Sequence, residues 1–273
     1  MADQSRVALV TGASRAISPY IARSLADAAY RLILTGRSAS ELNALANELN
    51  AVAVPADLTS PDELEALVEV AERELGGVDV LVNNAGGDPQ REFDAMSWPD
   101  NASILELNLI APMRLTHRLL PGMLRCGRGH VVNTSSIAGR VSFPCTEAYA
   151  AAKDGLIGFT RVLRTDYRGR GANASVVVLG AIRDAGQGQR TAEELGLKLP
   201  PMSTSPACTV ARAVLAAIRR DRAEIVVMPG PGRLIKALMD LFLGLGPAMS
   251  QAVGANATMQ AVIKLRKQPA KIA

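Results

Sequence analysis

Tyr149 and Lys153, four residues apart in YAAAK, are side chains between which a proton can be managed. On a helix that spacing sets them side by side on one face. A free tyrosine ionises at about pH 10 and carries protons poorly at neutrality until a neighbouring cation favours its phenolate. Such a pair arises by chance in many chains, so its meaning depends on its company. Ser136, thirteen residues earlier, closes the strand-like run VVNTSS, and ligands of doubly wound sheets sit at such carboxyl ends. Asn108 stands four residues before Pro112, which has no N–H. In a continuous helix the Asn108 carbonyl therefore lacks its usual partner and is free for water.

A second group of residues suits an anion. TGASRAISPYIA, residues 11–22, follows an apolar run and leads into a helical pattern, so backbone N–H groups and the helix dipole would face a phosphate. Gly12 supplies the tight turn. Ala16 and Ser18 stand where a dinucleotide fingerprint has its second and third glycines. Ala16 costs little if its φ is negative, and Ser18 followed by Pro19 reads as an N-cap with proline at the first helical position. A turn that binds the pyrophosphate more loosely is the expectation.

These groups need a frame. Short aliphatic runs (RVALVT, RLILT, AVAVP, VDVLVN, HVVNTS, ASVVVL and EIVVM) alternate with stretches of helical period at 19–29, 39–49, 61–75, 102–123, 146–168 and 207–220. That alternation predicts an α/β fold, a Rossmann-like doubly wound parallel sheet flanked by helices in one domain with a C-terminal helical extension. Ser60-Pro61-Asp62-Glu63 is a capping box with proline at the first helical position. The stretch from Asp184 to Pro206, rich in Gly, Pro, Ser and Thr, reads as a long loop and therefore as a functional lid.

TGASRAIS, Asp57 after the third strand, NNAG at 83–86, Asn108, Ser136 and YAAAK together resemble the short-chain dehydrogenase/reductase family over about residues 6 to 230. The resemblance implies an NAD(P)-dependent oxidoreductase acting on a carbonyl or alcohol. In it Tyr149 is the acid/base, Ser136 steadies the substrate oxygen, Lys153 holds the nicotinamide ribose and assists the tyrosine, and Asn108 supports a water leading to the lysine. The cofactor contacts it implies are Gly12, Ser14, Arg15, Ile17, Arg37, Asp57, Leu58, Asn84, Ala85, Gly86, Tyr149, Lys153 and Gly180. It also implies a homodimer or homotetramer paired through the helices containing Asn108 and Tyr149.

NAD-specific relatives place an acid at the end of the second strand; here Gly36 stands there, followed by Arg37 and Ser38. With Arg15 in the first turn, two guanidinium groups would meet a 2′-phosphate, so NADP(H) is the expected cofactor and carbonyl reduction the favoured direction. Where the family has Pro-Gly and then a threonine, this chain has Leu179-Gly180 and Asp184. Those departures, with Ala16 and Ser18, leave a second reading, a catalytically silent dinucleotide-binding or scaffold protein on the same fold.

Composition narrows the rest. The chain of 273 residues is 48% hydrophobic and 21% charged, that of a globular protein with a large aliphatic core. Its net charge of +4 is scattered until the end, which is no nucleic-acid footprint. Three widely spaced cysteines and no Cys, His and carboxylate cluster indicate a reducing compartment and no metal, and the start lacks a signal-peptide pattern, so a cytoplasmic location is expected. His117 and His130 read as solvated or locally bonded. Residues 1–230 form the expected catalytic domain and 231–273 the extension with its basic tail. In RLIKALMDLFLGLGPAM, Arg233, Lys236 and Asp240 share one helical stripe and apolar residues cover the remainder. Cover over the substrate cleft or by a partner subunit is the expectation, and contact with a membrane surface through 233–243 the alternative. Either favours a lipophilic substrate.

Overall fold

A computed structural model describes residues 6–196, 198, 201–252 and 254–267. In chain order the elements are β1 (Val7–Thr11), α1 (Ser18–Asp27), β2 (Arg31–Gly36), α2 (Ala39–Leu49), β3 (Val52–Pro55), α3 (Pro61–Leu75) and β4 (Val80–Asn83). Then follow α4 (Trp98–Leu105), α5 (Ala111–Cys126), β5 (Gly129–Ser136), α6 (Ala138–Val141), α7 (Glu147–Tyr167), β6 (Ala172–Leu179), β7 (Ile182–Arg183) and α8 (Gly186–Glu194). The chain continues with β8 (Ser205–Pro206), α9 (Ala207–Arg219), β9 (Glu224–Val227), α10 (Gly232–Leu241), α11 (Leu245–Ala252) and α12 (Ala255–Lys267).

The main sheet has seven strands in the order β3-β2-β1-β4-β5-β6-β9, all parallel. The seven aliphatic runs of the sequence are these seven strands. Both faces are covered, so the strands are continuous apolar runs that alternate between two cores. Ala8 and Val10 face Ile21, Leu25, Leu42 and Val214, whereas Val7 and Leu9 face Leu64, Leu67, Leu115 and Met123. The strand order reverses between β1 and β4, and the crevice at their carboxyl ends is where such sheets bind ligands.

Local chemistry fixes the boundaries around that crevice. Ser60 accepts from the Glu63 N–H at 3.4 Å, while the Glu63 carboxylate reaches back to the Asp57 N–H at 2.8 Å, so the capping box of α3 extends to the residue that ends the third βα connection. The helix expected over 102–123 begins four residues earlier, at Trp98, and runs to Cys126. It is interrupted by one π turn, Glu106–Ile110, in which the Ala111 N–H returns to the Glu106 carbonyl. Pro112 offers no N–H to the ladder, and a wider turn ahead of it absorbs that loss with Asn108 inside.

The Asp184–Pro206 stretch is not structureless. Gly186–Glu194 is helical, with a short turn at Pro201–Ser203; Leu197, Leu199 and Pro200 lie outside the described residues. The glycines and prolines around it hid Gln189, Arg190, Ala192, Glu193 and Glu194, good helix formers that outweigh Gly188 and Thr191. His130, the locally bonded histidine, is buried with Nε2 2.8 Å from the Ser175 hydroxyl, and burial lowers its pKa to about 4.

Candidate active site

The phosphate turn leaves β1 at Gly12, whose φ of +66° and whose approach to Ala85 leave no room for a side chain: a Cβ would lie 2.9 Å from the Ala85 Cα. The two turns are laced together. The Thr11 hydroxyl accepts from the N–H groups of Asn84 and Ala85, both at 3.0 Å. The Asn84 amide donates to Ser18 Oγ at 2.7 Å, and Ser18 donates to the Thr11 carbonyl. Ser18 is therefore not the N-cap of α1, a place taken by Ile17; its buried hydroxyl ties the turn to NNAG instead. Thr11 did not figure among the sequence candidates, and its signal was its place at the last residue of the first strand.

Ala16 has φ +61°, the left-handed region, so the condition under which alanine would be costless is not met. Ala16→Gly is expected to stabilise the protein by up to about 1 kcal/mol and to tighten dinucleotide binding; chemical denaturation and cofactor titration measure the two. A loss of stability would show that the turn carries no strain.

Ser14 lies against Gly36, where a Cβ would come 3.0 Å from its hydroxyl. That contact brings the residues following each, exposed Arg15 and Arg37, to one side of the crevice. Neither has an ion-pair partner among the described residues. Asp57 turns towards its own helix start: Oδ1 accepts from the Thr59 N–H and hydroxyl at 3.0 and 2.8 Å, and these bonds with the nearby Arg37 charge hold its pKa below the usual carboxylate value. Leu58 is a buried core side chain, so only its backbone faces outward from the core. Gly180 donates its N–H to the Val227 carbonyl at 2.9 Å, and a Cβ there would meet Met228. Asp184 has φ +70°, and its side chain is 55% exposed, 3.9 Å from the Arg183 guanidinium.

On the other side of the crevice, Asn108 is fully buried and its side chain is fixed: the amide donates to the carbonyls of Gly87 and Ile104, both at 2.9 Å, while Oδ1 accepts from the Gly87 N–H at 3.2 Å. Gly86 makes room for this, since a Cβ would sit 2.5 Å from Asn108 Oδ1 and 3.2 Å from Lys153 Nζ. Lys153 is itself buried and donates to the Thr134 carbonyl at 3.1 Å, with Nζ 5.6 Å from the centre of the Tyr149 ring. Desolvation lowers its pKa to about 8.

Tyr149 behaves differently from the expected phenolate. Desolvation raises its pKa to about 12, the hydrogen bond with Ser136 opposes that only in part, and the Asp88 carboxylate adds to the rise. The phenol is held as a neutral acid. Asp88, directly after NNAGG, also raises the Cys145 thiol, behind desolvation and Glu147 and Glu92. Sequence reasoning passed over it because nothing in its spacing distinguishes it from a turn acid.

Helix α8 closes the front. Gln187 donates to the Asp88 carbonyl at 3.0 Å, Thr191 to Gln90 Oε1 at 2.9 Å, and Gly186 lies over Ile17. The stretch read as a lid, residues 184–206, therefore contains a helix that packs on the Asp88–Gln90 turn. Below it, Phe143, Cys145 and Leu195 pack with Met259, Val262 and Ile263 of α12, an apolar cluster beside the segment leading into α7. Among the described residues no group of His, Cys, Asp and Glu could hold a metal ion.

A parallel sheet of this order, with a glycine turn at its switch point and a Ser, Tyr and Lys set facing it, defines a nucleotide-dependent oxidoreductase class. The chain belongs to the short chain dehydrogenase family, whose sequence profile matches residues 6–195. It is 36% identical over 246 residues to the ketoacyl reductase HetN of Nostoc sp., covering 88% of this chain and 84% of that protein. It is 36% identical over 181 residues to the 3-oxoacyl-[acyl-carrier-protein] reductase FabG of Vibrio cholerae, covering 66% and 74%. A structure of an actinorhodin polyketide ketoreductase variant with NADPH superimposes with a TM-score of 0.76 at 28% identity, over 85% of this chain and 99% of that one.

Proposed function

We propose that the protein is an NADP(H)-dependent reductase of a ketone or aldehyde on an apolar, acyl-like substrate, with Asn108, Ser136, Tyr149 and Lys153 as its working residues. The observation that carries this is geometric: buried Lys153 lies with Nζ 5.6 Å from the centre of the Tyr149 ring, and Ser136 closes β5, an arrangement that can donate a proton to a carbonyl oxygen and that desolvation supports by keeping the phenol protonated. The NADP-type cofactor fits the residues present. Gly12 and Gly86 keep the crevice open where side chains would fill it, and Arg15 and Arg37 offer two exposed guanidinium groups that no ion pair among the described residues engages. When bound, the cofactor supplies the hydride.

The chain's own residues do the remainder. Ser136 donates to the substrate oxygen as negative charge develops, and Tyr149 transfers its proton to that oxygen. Lys153, with its pKa near neutrality, returns the proton, and Asn108 holds the Gly86–Gly87 backbone against it. The apolar cluster of Phe143, Cys145, Leu195 and α12 supports a lipophilic substrate, with Met259, Val262 and Ile263 of the C-terminal extension shaping the substrate side of the catalytic unit. The ketoacyl and polyketide substrates in the names of its relatives have that character. Free Cys126, Cys145 and Cys208 support a reducing, cytoplasmic setting, and pairing through α5 and α7 would make a dimer or tetramer.

Titration with NADPH and NADH, followed by reduced-cofactor fluorescence, tests the cofactor assignment. Arg37→Ala is expected to weaken NADPH about five- to tenfold and to leave NADH within about twofold. Equal losses for both cofactors would remove Arg37 from 2′-phosphate recognition, and no binding of either would end the reductase reading.

A further inference from the structure

Helix α10 is turned inside out. Two residues of its charged stripe, Lys236 and Asp240, are held against the protein while Arg233 is exposed: Lys236 is 3% exposed, with Nζ 2.7 Å from Asp240 Oδ2 and 3.3 Å from Glu224 of β9. Asp240 in turn meets Arg140 of α6 at 2.6 Å, and Arg140 meets Asp154 of α7 at 2.7 Å. Fixed charges on β9, α6 and α7 thus set the helix's rotation, because burying them without counter-charges would cost more than burying leucine gains. Met239 alone of its large apolar residues is buried.

The consequence lies on the opposite face. Leu234, Leu238 and Leu241, at i, i+4 and i+7, form one stripe, which the next two residues prolong. Leu234 is 60% exposed, Leu241 71%, Phe242 57% and Leu243 83%. This surface is not folded over the chain's own cleft: α12, not α10, packs on Phe143, Cys145 and Leu195. A contiguous apolar face of this kind marks an interaction site.

Charge says which. Residues 231–273 contain six bases, Arg233, Lys236, Lys264, Arg266, Lys267 and Lys271, against one acid, Asp240. Taking these from the chain's 30 bases and 26 acids leaves 24 and 25, so the net positive charge of the whole protein resides in this one segment. Lys236 is engaged by Asp240 and Glu224, but Arg233 of α10 is exposed, so two copies meeting through this helix would bring like charges together, whereas an anionic lipid surface complements both the apolar stripe and the segment's surplus of bases. We infer that α10 and the Leu241–Leu243 corner after it dock the protein on an anionic lipid bilayer, lying in the interface. No helix among the described residues is long and apolar enough to cross a membrane.

The test is co-sedimentation of the full chain with vesicles of phosphatidylcholine, alone or mixed with phosphatidylglycerol, beside a triple variant, Leu241→Ser, Phe242→Ser and Leu243→Ser. The altered residues are solvent-exposed and far in sequence from the catalytic set, so NADPH titration serves as the control for folding. Wild type is expected to bind the mixed vesicles, less so as salt rises, and the variant about tenfold more weakly or worse. Failure of wild type to bind, equal binding to both vesicle types, or binding that the triple variant retains would overturn the inference. So would a wild-type dimer, seen by sedimentation velocity without lipid, that the same substitutions dissociate.

Discussion

Tyr149→Phe is expected to lower kcat for carbonyl reduction by about a thousandfold while leaving NADPH affinity within about twofold. In the proposed reaction the phenol hydroxyl is the immediate acid: burial raises its pKa to about 12, which keeps it protonated throughout the working range. Phenylalanine preserves the ring that packs near Lys153 and removes only the transferable proton. The pH profile separates this role from a structural one. A donor with a pKa of about 12 would by itself give a flat profile, so any loss at moderate pH belongs to the group that replenishes it. Lys153, lowered to about 8 by burial, places that loss above about pH 8. A wild-type kcat independent of pH up to 10, together with a Tyr149→Phe variant that keeps a tenth of its activity, would sink both assignments.

The frame of this site was legible in the sequence because parallel strands buried on both faces must be aliphatic throughout, and the seven that were so became the seven strands of the sheet. The proposed working residues could be named from the sequence as well, because Ser136 closes a strand and Tyr149 and Lys153 are one turn apart on α7. What escaped were matters of rotation and backbone angle. The left-handed φ of Ala16 is a backbone angle that no residue pattern displays, and the inward rotation of Lys236 and Asp240 depends on Glu224 and Arg140, which a helical wheel does not show. Ser18 reads locally as a cap because its true partner, Asn84, is 66 residues away. The Tyr149 proton escaped for a similar reason: one turn of helix puts a lysine beside a tyrosine, but burial weakens the lysine's own charge and raises the tyrosine.

That weakening makes Lys153 a group the fold holds at a cost. Its Nζ is buried, donates to one carbonyl and has no carboxylate partner among the described residues, so the cofactor-free protein carries an uncompensated buried cation. Lys153→Met is therefore expected to abolish measurable reduction and yet raise the stability of the cofactor-free protein at pH 7 by on the order of 2 kcal/mol, after allowing for the Thr134 carbonyl it leaves unpaired. The sign follows from the two ionisations. The unfolded chain titrates near the model-compound value of 10.5 and the folded one at about 8, so between these the unfolded state binds a proton that the folded state does not. Wild-type stability thus recovers as pH rises through that window, and the advantage of the methionine variant is full below about pH 8 and gone by about 10.5. With NADPH present the order reverses, because wild type gains the free energy of a cofactor the variant grips less well. Urea unfolding of both proteins at pH 7 and pH 10, with and without NADPH, reads all of this. A methionine variant that is less stable than wild type at pH 7 without cofactor would mean that the Lys153 charge is compensated inside the fold, and the proton relay assigned to it would lose its physical basis.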